Sequence, residues 1–186
     1  MERMLVLIFV PLMVPVLLAI AVAIKLTTPG PVLFRQRRPG IGDSFFVIVK
    51  FRTMFDSSRG AGSCKTLPDD PRVTPLGRFL RRTHLDELPQ VWNILRGEMT
   101  FIGPRPEPIP NNDEYVRHIK AFSVRRSVLP GITGLAQTQV GYTFDVTGAR
   151  EKFKCYLYYI QNASVGLDAR ILVQTIRELL APRKSW

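Results

Sequence analysis

Residues Met4 to Ile24 form a continuous apolar run, MLVLIFVPLMVPVLLAIAVAI, and no other stretch constrains the fold as strongly. At about 1.5 Å per residue it approaches the ~30 Å hydrocarbon thickness of a bilayer. A cleaved signal peptide is the rival reading, because Ala21-Val22-Ala23 has the form of a cleavage site. Against it, the region before the run offers only Arg3 beside Glu2, and the run is too long. From Lys25 to Arg59 the chain carries seven Lys or Arg against two Asp, and positive flanks stay cytoplasmic. The expectation is an uncleaved membrane segment over 1–25, with 26–186 as one domain on the cytoplasmic side. Pro11 and Pro15 stand four apart inside the run. Each lacks an N–H and clashes with the preceding turn, so the carbonyls of Leu7 and Pro11 lose their helical partners. In lipid those carbonyls must be satisfied in some other way. A kinked span meets that condition, and so does a sharply broken, re-entrant helix that returns to the face it entered.

The formal net charge of +11 and pI of about 10.3 call for an anionic partner: a membrane surface, a phosphate-bearing substrate or nucleic acid. With 46% hydrophobic and 10% aromatic residues the chain is not globally disordered. Nucleic acid finds no recognition-helix or RNP-type motif to support it. No phosphate-cradling GxxxxGK occurs, and no GxGxxG follows a strand. Cys64 and Cys155 form no CxxC and no metal-ligand pattern with His84 or His118, so both read as reduced, structural thiols.

Beyond the membrane segment, TTPGPVLFRQRRPGIGDSFFVIVKFRTM reads as two strands around a Pro-Gly-x-Gly-Asp turn. Lys50 and Arg52 project from one face of the second strand, about 7 Å apart. Phe45, Val47, Val49 and Phe51 take the other. Either the polar face is solvated, or its two cations serve a site. Ser57 to Arg72 is a polar loop rich in Gly and Pro. Thr74 then caps a short helix with Pro75 at its first position, and that helix carries Arg78, Arg81 and Arg82 into LDELPQVWNILRG.

On a helical wheel of about 100° per residue, Gln90, Asn93 and Gly97 fall within about 40° of Asp86. They form a polar stripe, while Leu85, Leu88, Val91, Trp92 and Leu95 cover the opposite side and should be packed. Glu87 lies about 100° from Asp86, so the two acids cannot duplicate each other. One reading is a solvated face whose acids favour the helix N-terminus, with Arg81 and Arg82 as surface partners of little worth. The other is chemical. An Asp can attack phosphorus to form an acyl phosphate, provided Mg²⁺ and cationic side chains neutralise the anionic substrate. The chain offers hard-cation ligands beside many arginines and no soft-metal set.

In GPRPEPIP, proline at every second position from 104 to 110 makes an extended rod. It contains no PxxP frame for an SH3-type domain. The rod restrains Arg105 between Pro104 and Pro106, which suits bidentate phosphate recognition as well as a structural role. Two amphipathic helices close the chain, near Glu151–Ile160 and Asp168–Leu180, the second with Ile171, Leu172, Ile176, Leu179 and Leu180 on one side. Core packing explains these apolar faces, and so does a membrane interface suited to the aromatic and basic residues of YLYYI and PRKSW.

Five motifs now stand in order: PGPVLFRQRRPG, FFVIVKFRTM, RRTHLDELPQVWNILRGEMTFIGPRP, PGITGLAQ and YLYYI followed by LDARIL. Together they resemble the bacterial sugar transferases, the monotopic phosphoglycosyl transferases, and the likeness runs to about Ile176. It implies an α+β fold, with a broken re-entrant N-terminal helix and a small cytoplasmic domain carrying a short β-hairpin and interfacial amphipathic helices. Such enzymes move a sugar-1-phosphate from a UDP-sugar to undecaprenyl phosphate at the cytoplasmic face of the bacterial inner membrane. UMP and the polyprenyl diphosphosugar are released. The family's covalent nucleophile falls on Asp86, with Glu87 as its partner and Mg²⁺ beside the dyad on Asp86. Arg105, Lys50, Arg52, Arg81, Gln90 and Asn93 are the candidate substrate-binding residues, and Pro11 and Pro15 the break in the membrane helix. Implied partners are the UDP-sugar, undecaprenyl phosphate and membrane lipids, with a homodimer as a further candidate and no nucleic acid. The non-catalytic alternative is a basic protein that binds a membrane surface.

Three positions depart from the family pattern. Val14-Pro15 stands for its Ser-Pro pair, removing a hydroxyl that could bond a freed carbonyl, although Pro11 adds a second break. Leu129 precedes Pro130 where many members carry a basic residue. Cys155 stands where members often have Asp. With no multi-span portion ahead of these motifs, the chain resembles the family's minimal form.

Overall fold

A computed structural model describes residues 2–55, 70–141, 143 and 145–180. Cys64, most of the Ser57–Arg72 loop and the closing PRKSW lie outside the described residues. The element order is α1 (Glu2–Thr27), β1 (Leu33–Pro39), β2 (Phe45–Phe51), α2 (Pro75–Thr83), a 3₁₀ turn (Leu85–Gln90), α3 (Val91–Arg96) and β3 (Thr100–Ile102). There follow α4 (Ile109–His118), a second 3₁₀ stretch (Phe122–Ser127), β4 (Gly131–Thr133), α5 (Leu135–Gln139), α6 (Val146–Asn162) and α7 (Val165–Leu180). The chain divides into two compact units. One runs to Gln36 and resumes over Ile48–Arg96; the other comprises Arg37–Val47 and the described chain from Gly97 to the end of α7.

In the first unit, α1 is helical over 26 residues with both prolines inside it, and it is long and apolar enough to cross a membrane. Most of its side chains find no protein neighbour: Leu7, Ile8 and Leu12 are each more than 60% exposed. Among its described side chains Val6 is buried, and so is the C-terminal end. Ile24, with Leu17, Ile20 and Ala21 beside it, meets Phe51 of β2 and Leu80 of α2.

The hairpin of β1 and β2 turns at Gly40–Ser44, where Gly40 N donates to Ser44 O at 2.9 Å and Gly42 takes φ +56°. Its buried face corrects the sequence expectation. Phe46 and Ile48 are buried while Phe45 and Val47 are about half exposed, and at the end of the strand both faces are covered, with Phe51 and Arg52 buried; Lys50 and Arg52 thus share the face of Phe46 and Ile48. Their charges are tolerated there because each has polar partners, described below.

Helix α2 forms as its sequence predicts: the Thr74 hydroxyl accepts from Gly77 N at 2.8 Å and Pro75 occupies the first turn. Gly77 sits so close to the carbonyl of Thr53 that no Cβ fits. Thr74→Ala is expected to lower stability by about 1 kcal/mol, the usual worth of an N-cap, and thermal melting of the two forms checks it.

In the second unit, β3 and β4 pair in parallel, Thr100 with Gly131 and Ile102 with Thr133. Each is three residues long, too short for period-2 patterning to reveal. The approach is so close that a Cβ on Gly131 would run into Gly103 N. The charged segment before Arg126 contributes α4 and the second 3₁₀ stretch. Tyr115, Ile119 and Phe122 of that segment pack against Ala136 of α5 and against Ala149, Phe153 and Tyr156 of α6. The Tyr115 and Phe122 rings meet edge-on at 5.4 Å. Cys155 is a half-buried free thiol, pushed above its ordinary pKa by burial. On α7 only Ile171 is buried, and Leu172, Val173, Ile176 and Leu179 are each close to half exposed. Core packing therefore accounts for one residue of that apolar face and not for the rest.

Candidate active site

His84 ends α2 in the left-handed region, φ 56° and ψ 13°, the only described non-glycine residue with positive φ. Its carbonyl accepts from Glu87 N at 3.1 Å, which starts the 3₁₀ turn one residue later. Pro89 suits that short element, since two 3₁₀ turns need few backbone donors. The winding differs from the single α-helix expected from the sequence. At three residues per turn Gln90 stands over Glu87 instead of Asp86, and α-helical spacing resumes only at Val91.

The packed side is also reversed from expectation. Asp86, Glu87, Gln90 and Asn93 are all buried, while Trp92 is 53% exposed and Leu85, Leu88, Val91 and Leu95 are half-buried. The polar stripe faces the protein because β2 supplies it with partners. Lys50 Nζ lies 2.6 Å from Glu87 Oε1, the two side chains only 15% and 10% exposed. Asn93 Oδ1 accepts from Val49 N at 3.1 Å. Glu87 thus faces an ammonium, and Asp86 is buried one residue before it in the same turn.

The other candidate residues take distinct places. Arg52 is 5% exposed; its Nη2 donates to the carbonyl and hydroxyl of Thr28 at 2.9 and 2.6 Å, and its Nη1 to Pro29 O at 2.7 Å. It clamps the chain where it leaves α1. Arg81 Nε donates to Thr53 Oγ1 at 2.8 Å. Gln90 is fully buried, yet neither amide atom has a hydrogen-bond partner. Such an orphaned amide costs about 1–3 kcal/mol per group and marks where a ligand or water would be welcome. Arg105 belongs to the second unit, where its Nη1 donates to Ile132 O at 3.2 Å.

Among the described residues no three His, Cys, Asp or Glu side chains gather as a metal cage. Mg²⁺ needs no such cage, because it keeps several waters and takes one or two carboxylates together with substrate phosphates.

Sequence reasoning missed the Lys50–Glu87 pairing and the backbone role of Asn93. The signal was present, because Lys50 shares its strand face with Phe46 and Ile48, which alternation alone could not assign to the core.

The chain matches the bacterial sugar transferase family over residues 1–182. It is 44% identical, over 92% of its length, to the UDP-N-acetylgalactosamine-undecaprenyl-phosphate N-acetylgalactosaminephosphotransferase of Aeromonas hydrophila. It is 41% identical, over 92% and 94% of its length, to the UDP-glucose:undecaprenyl-phosphate glucose-1-phosphate transferases of Xanthomonas campestris pv. campestris and Caulobacter vibrioides. The matched regions cover 40%, 36% and 66% of those three proteins. The chain belongs to the bacterial sugar transferase family.

Proposed function

We propose that the chain moves a sugar-1-phosphate from a UDP-sugar to undecaprenyl phosphate, at the cytoplasmic face of a bacterial inner membrane. The observation that carries this reading is the pair of adjacent buried acids in the 3₁₀ turn after α2, with Lys50 2.6 Å from Glu87 beside them. The names of its relatives support the donor and acceptor classes. The exposed apolar surface of α1 and the half-exposed apolar stripe of α7 support the location. Pro11 and Pro15 inside α1 support a re-entrant course, which would hold the dyad at headgroup depth, where a polyprenyl phosphate meets a soluble nucleotide.

In this reading an Asp86 oxygen attacks the sugar-bearing phosphorus in line. A carboxylate–phosphorus bond forms, the bond to the bridging oxygen breaks, and UMP leaves with that electron pair. A phosphate oxygen of undecaprenyl phosphate then attacks the same phosphorus. That displaces the Asp86 carboxylate and gives undecaprenyl diphosphosugar. Glu87, oriented by Lys50, fixes the turn that presents Asp86. Gln90 offers its orphaned amide to the substrate and Arg81 a cation, and Arg105 is assigned to the nucleotide donor by the family's Pro-Arg-Pro motif that it occupies, Pro104-Arg105-Pro106. Mg²⁺ held by Asp86 would supply charge neutralisation on the diphosphate.

The test is the intact mass of the protein after incubation with Mg²⁺ and a panel of UDP-sugars, without lipid acceptor, beside Asp86→Asn. A gain of one phosphosugar, absent from the variant, is expected and also identifies the sugar. UMP released without an adduct would sink the covalent step. Neither adduct nor UMP from any donor would sink the activity and favour a basic membrane-surface protein.

A further inference from the structure

The Gly103–Pro108 segment cannot stabilise itself. Three of its residues are prolines without an N–H, and it lies between β3 and α4 in neither helix nor strand. Three consecutive carbonyls are nevertheless all taken by donors from elsewhere. Pro104 O accepts from Gly131 N at 3.1 Å, Arg105 O from Arg125 Nη1 at 2.8 Å, and Pro106 O from Arg38 Nη1 at 2.6 Å. The middle donor is the unusual one. Arg125 is 3% exposed and, among the described residues, makes no ion pair. Its other terminal nitrogen donates to Asn112 Oδ1 at 2.8 Å, its guanidinium carbon lies 4.8 Å from the centre of the Phe122 ring, and its Nε has no partner. Burying a guanidinium without a carboxylate is costly, and apolar replacements of buried charges are often neutral or stabilising. Met or Leu at this position would end that cost and in exchange leave the Arg105 carbonyl and Asn112 Oδ1 without this donor, so the net effect on fold stability is small. What an apolar residue cannot do is hold the carbonyl of Arg105 and the side chain of Asn112 in one planar fork.

We infer that Arg125 is a positioning residue: it fixes the main chain at Arg105 and so aims the Arg105 guanidinium, which under the proposed function contacts the nucleotide donor. This rests on that function only for what Arg105 is aimed at. The fixing of the segment stands apart from it and can be measured apart from it. Misplacing a binding group by about 1 Å can reduce catalysis by about 10²-fold.

The experiment compares wild type, Arg125→Met, Arg105→Ala and the double variant by three readouts: thermal melting, hydrogen exchange at the Gly131 amide, and kcat/KM for UMP release. Arg125→Met is expected to melt within a few degrees of wild type, to lose Gly131 protection at least tenfold, and to lower kcat/KM by about 10²-fold. The double variant should be no worse than Arg105→Ala, because a residue that acts only through Arg105 adds nothing once Arg105 is gone. Equal further loss in the Arg105→Ala background would overturn the inference, and so would unchanged Gly131 protection. Should wild type release no UMP, the proposed function fails while the exchange result still decides whether Arg125 fixes the segment. Should Arg125→Met fail to fold, Arg125→Lys keeps the buried charge without the fork. Its Gly131 protection should fall, and wild-type protection there would overturn the inference.

Discussion

Asp86→Asn is expected to lower UMP release by at least about 10³-fold, the scale seen when a covalent nucleophile is removed. That corresponds to about 4 kcal/mol of transition-state stabilisation. Asn matches Asp in shape, so the buried turn should keep its fold, but a neutral amide is a poor nucleophile towards phosphorus. Glu87→Gln should behave differently and lose about 10-fold to 10²-fold, because in the proposed mechanism Glu87, 2.6 Å from Lys50, orients the turn and forms no bond to the substrate. Steady-state UMP release, with intact mass on the same samples, separates the two. Glu87→Gln losing as much as Asp86→Asn, or carrying no adduct while Asp86→Asn carries one, would exchange the roles of the two acids. Asp86→Asn retaining a tenth of the rate would remove covalent chemistry from this dyad.

Part of the fold around the candidate site was legible before the structure, for physical reasons that differ by residue. The Thr74-Pro75 start of α2 depends on contacts within three residues, and Gly77 N meets the Thr74 hydroxyl as expected. The hairpin turn is likewise local, with Gly42 at φ +56° and Ser44 closing onto Ile41 and Gly40. Other features depend on partners far along the chain. The wheel over 86–97 assumed α-helical winding, but the turn starts from His84 in a left-handed conformation and winds more tightly. Which face of that stretch is buried was decided by Lys50 and Val49, 37 and 44 residues from their partners Glu87 and Asn93. Alternation in β2 could show that Lys50 and Arg52 share a face, but not that the face is inside. Arg125 was invisible because nothing local distinguishes it from Arg126; its task lies at Arg105 and Asn112. The apolar segments misled in a consistent direction. A wheel assumes that apolar residues seek the protein, whereas α1, Trp92 and α7 leave theirs exposed, the arrangement expected where lipid is the other solvent.

The second large effect concerns stability. Lys50→Met removes the ammonium 2.6 Å from Glu87 Oε1, in a pair whose side chains are 15% and 10% exposed. Breaking a buried pair from one side typically costs about 3–5 kcal/mol, because the remaining charge stays desolvated. For a chain of this size that is a fall in Tm of about 10 °C. A surface pair would lose about 0–1 kcal/mol and would weaken further in salt. The double variant Lys50→Met/Glu87→Leu removes both charges and should recover most of the lost Tm, since apolar replacements of buried pairs are often neutral or better. It should nevertheless stay as slow in UMP release as Glu87→Gln, or slower. Melting all four forms at low and high salt, beside the rate assay, tests both halves. A small, salt-sensitive loss in Lys50→Met would mean that the pair is a surface contact. A double variant that regains its rate along with its Tm would show that Glu87 serves the fold alone and that Asp86 needs no partner to be aimed.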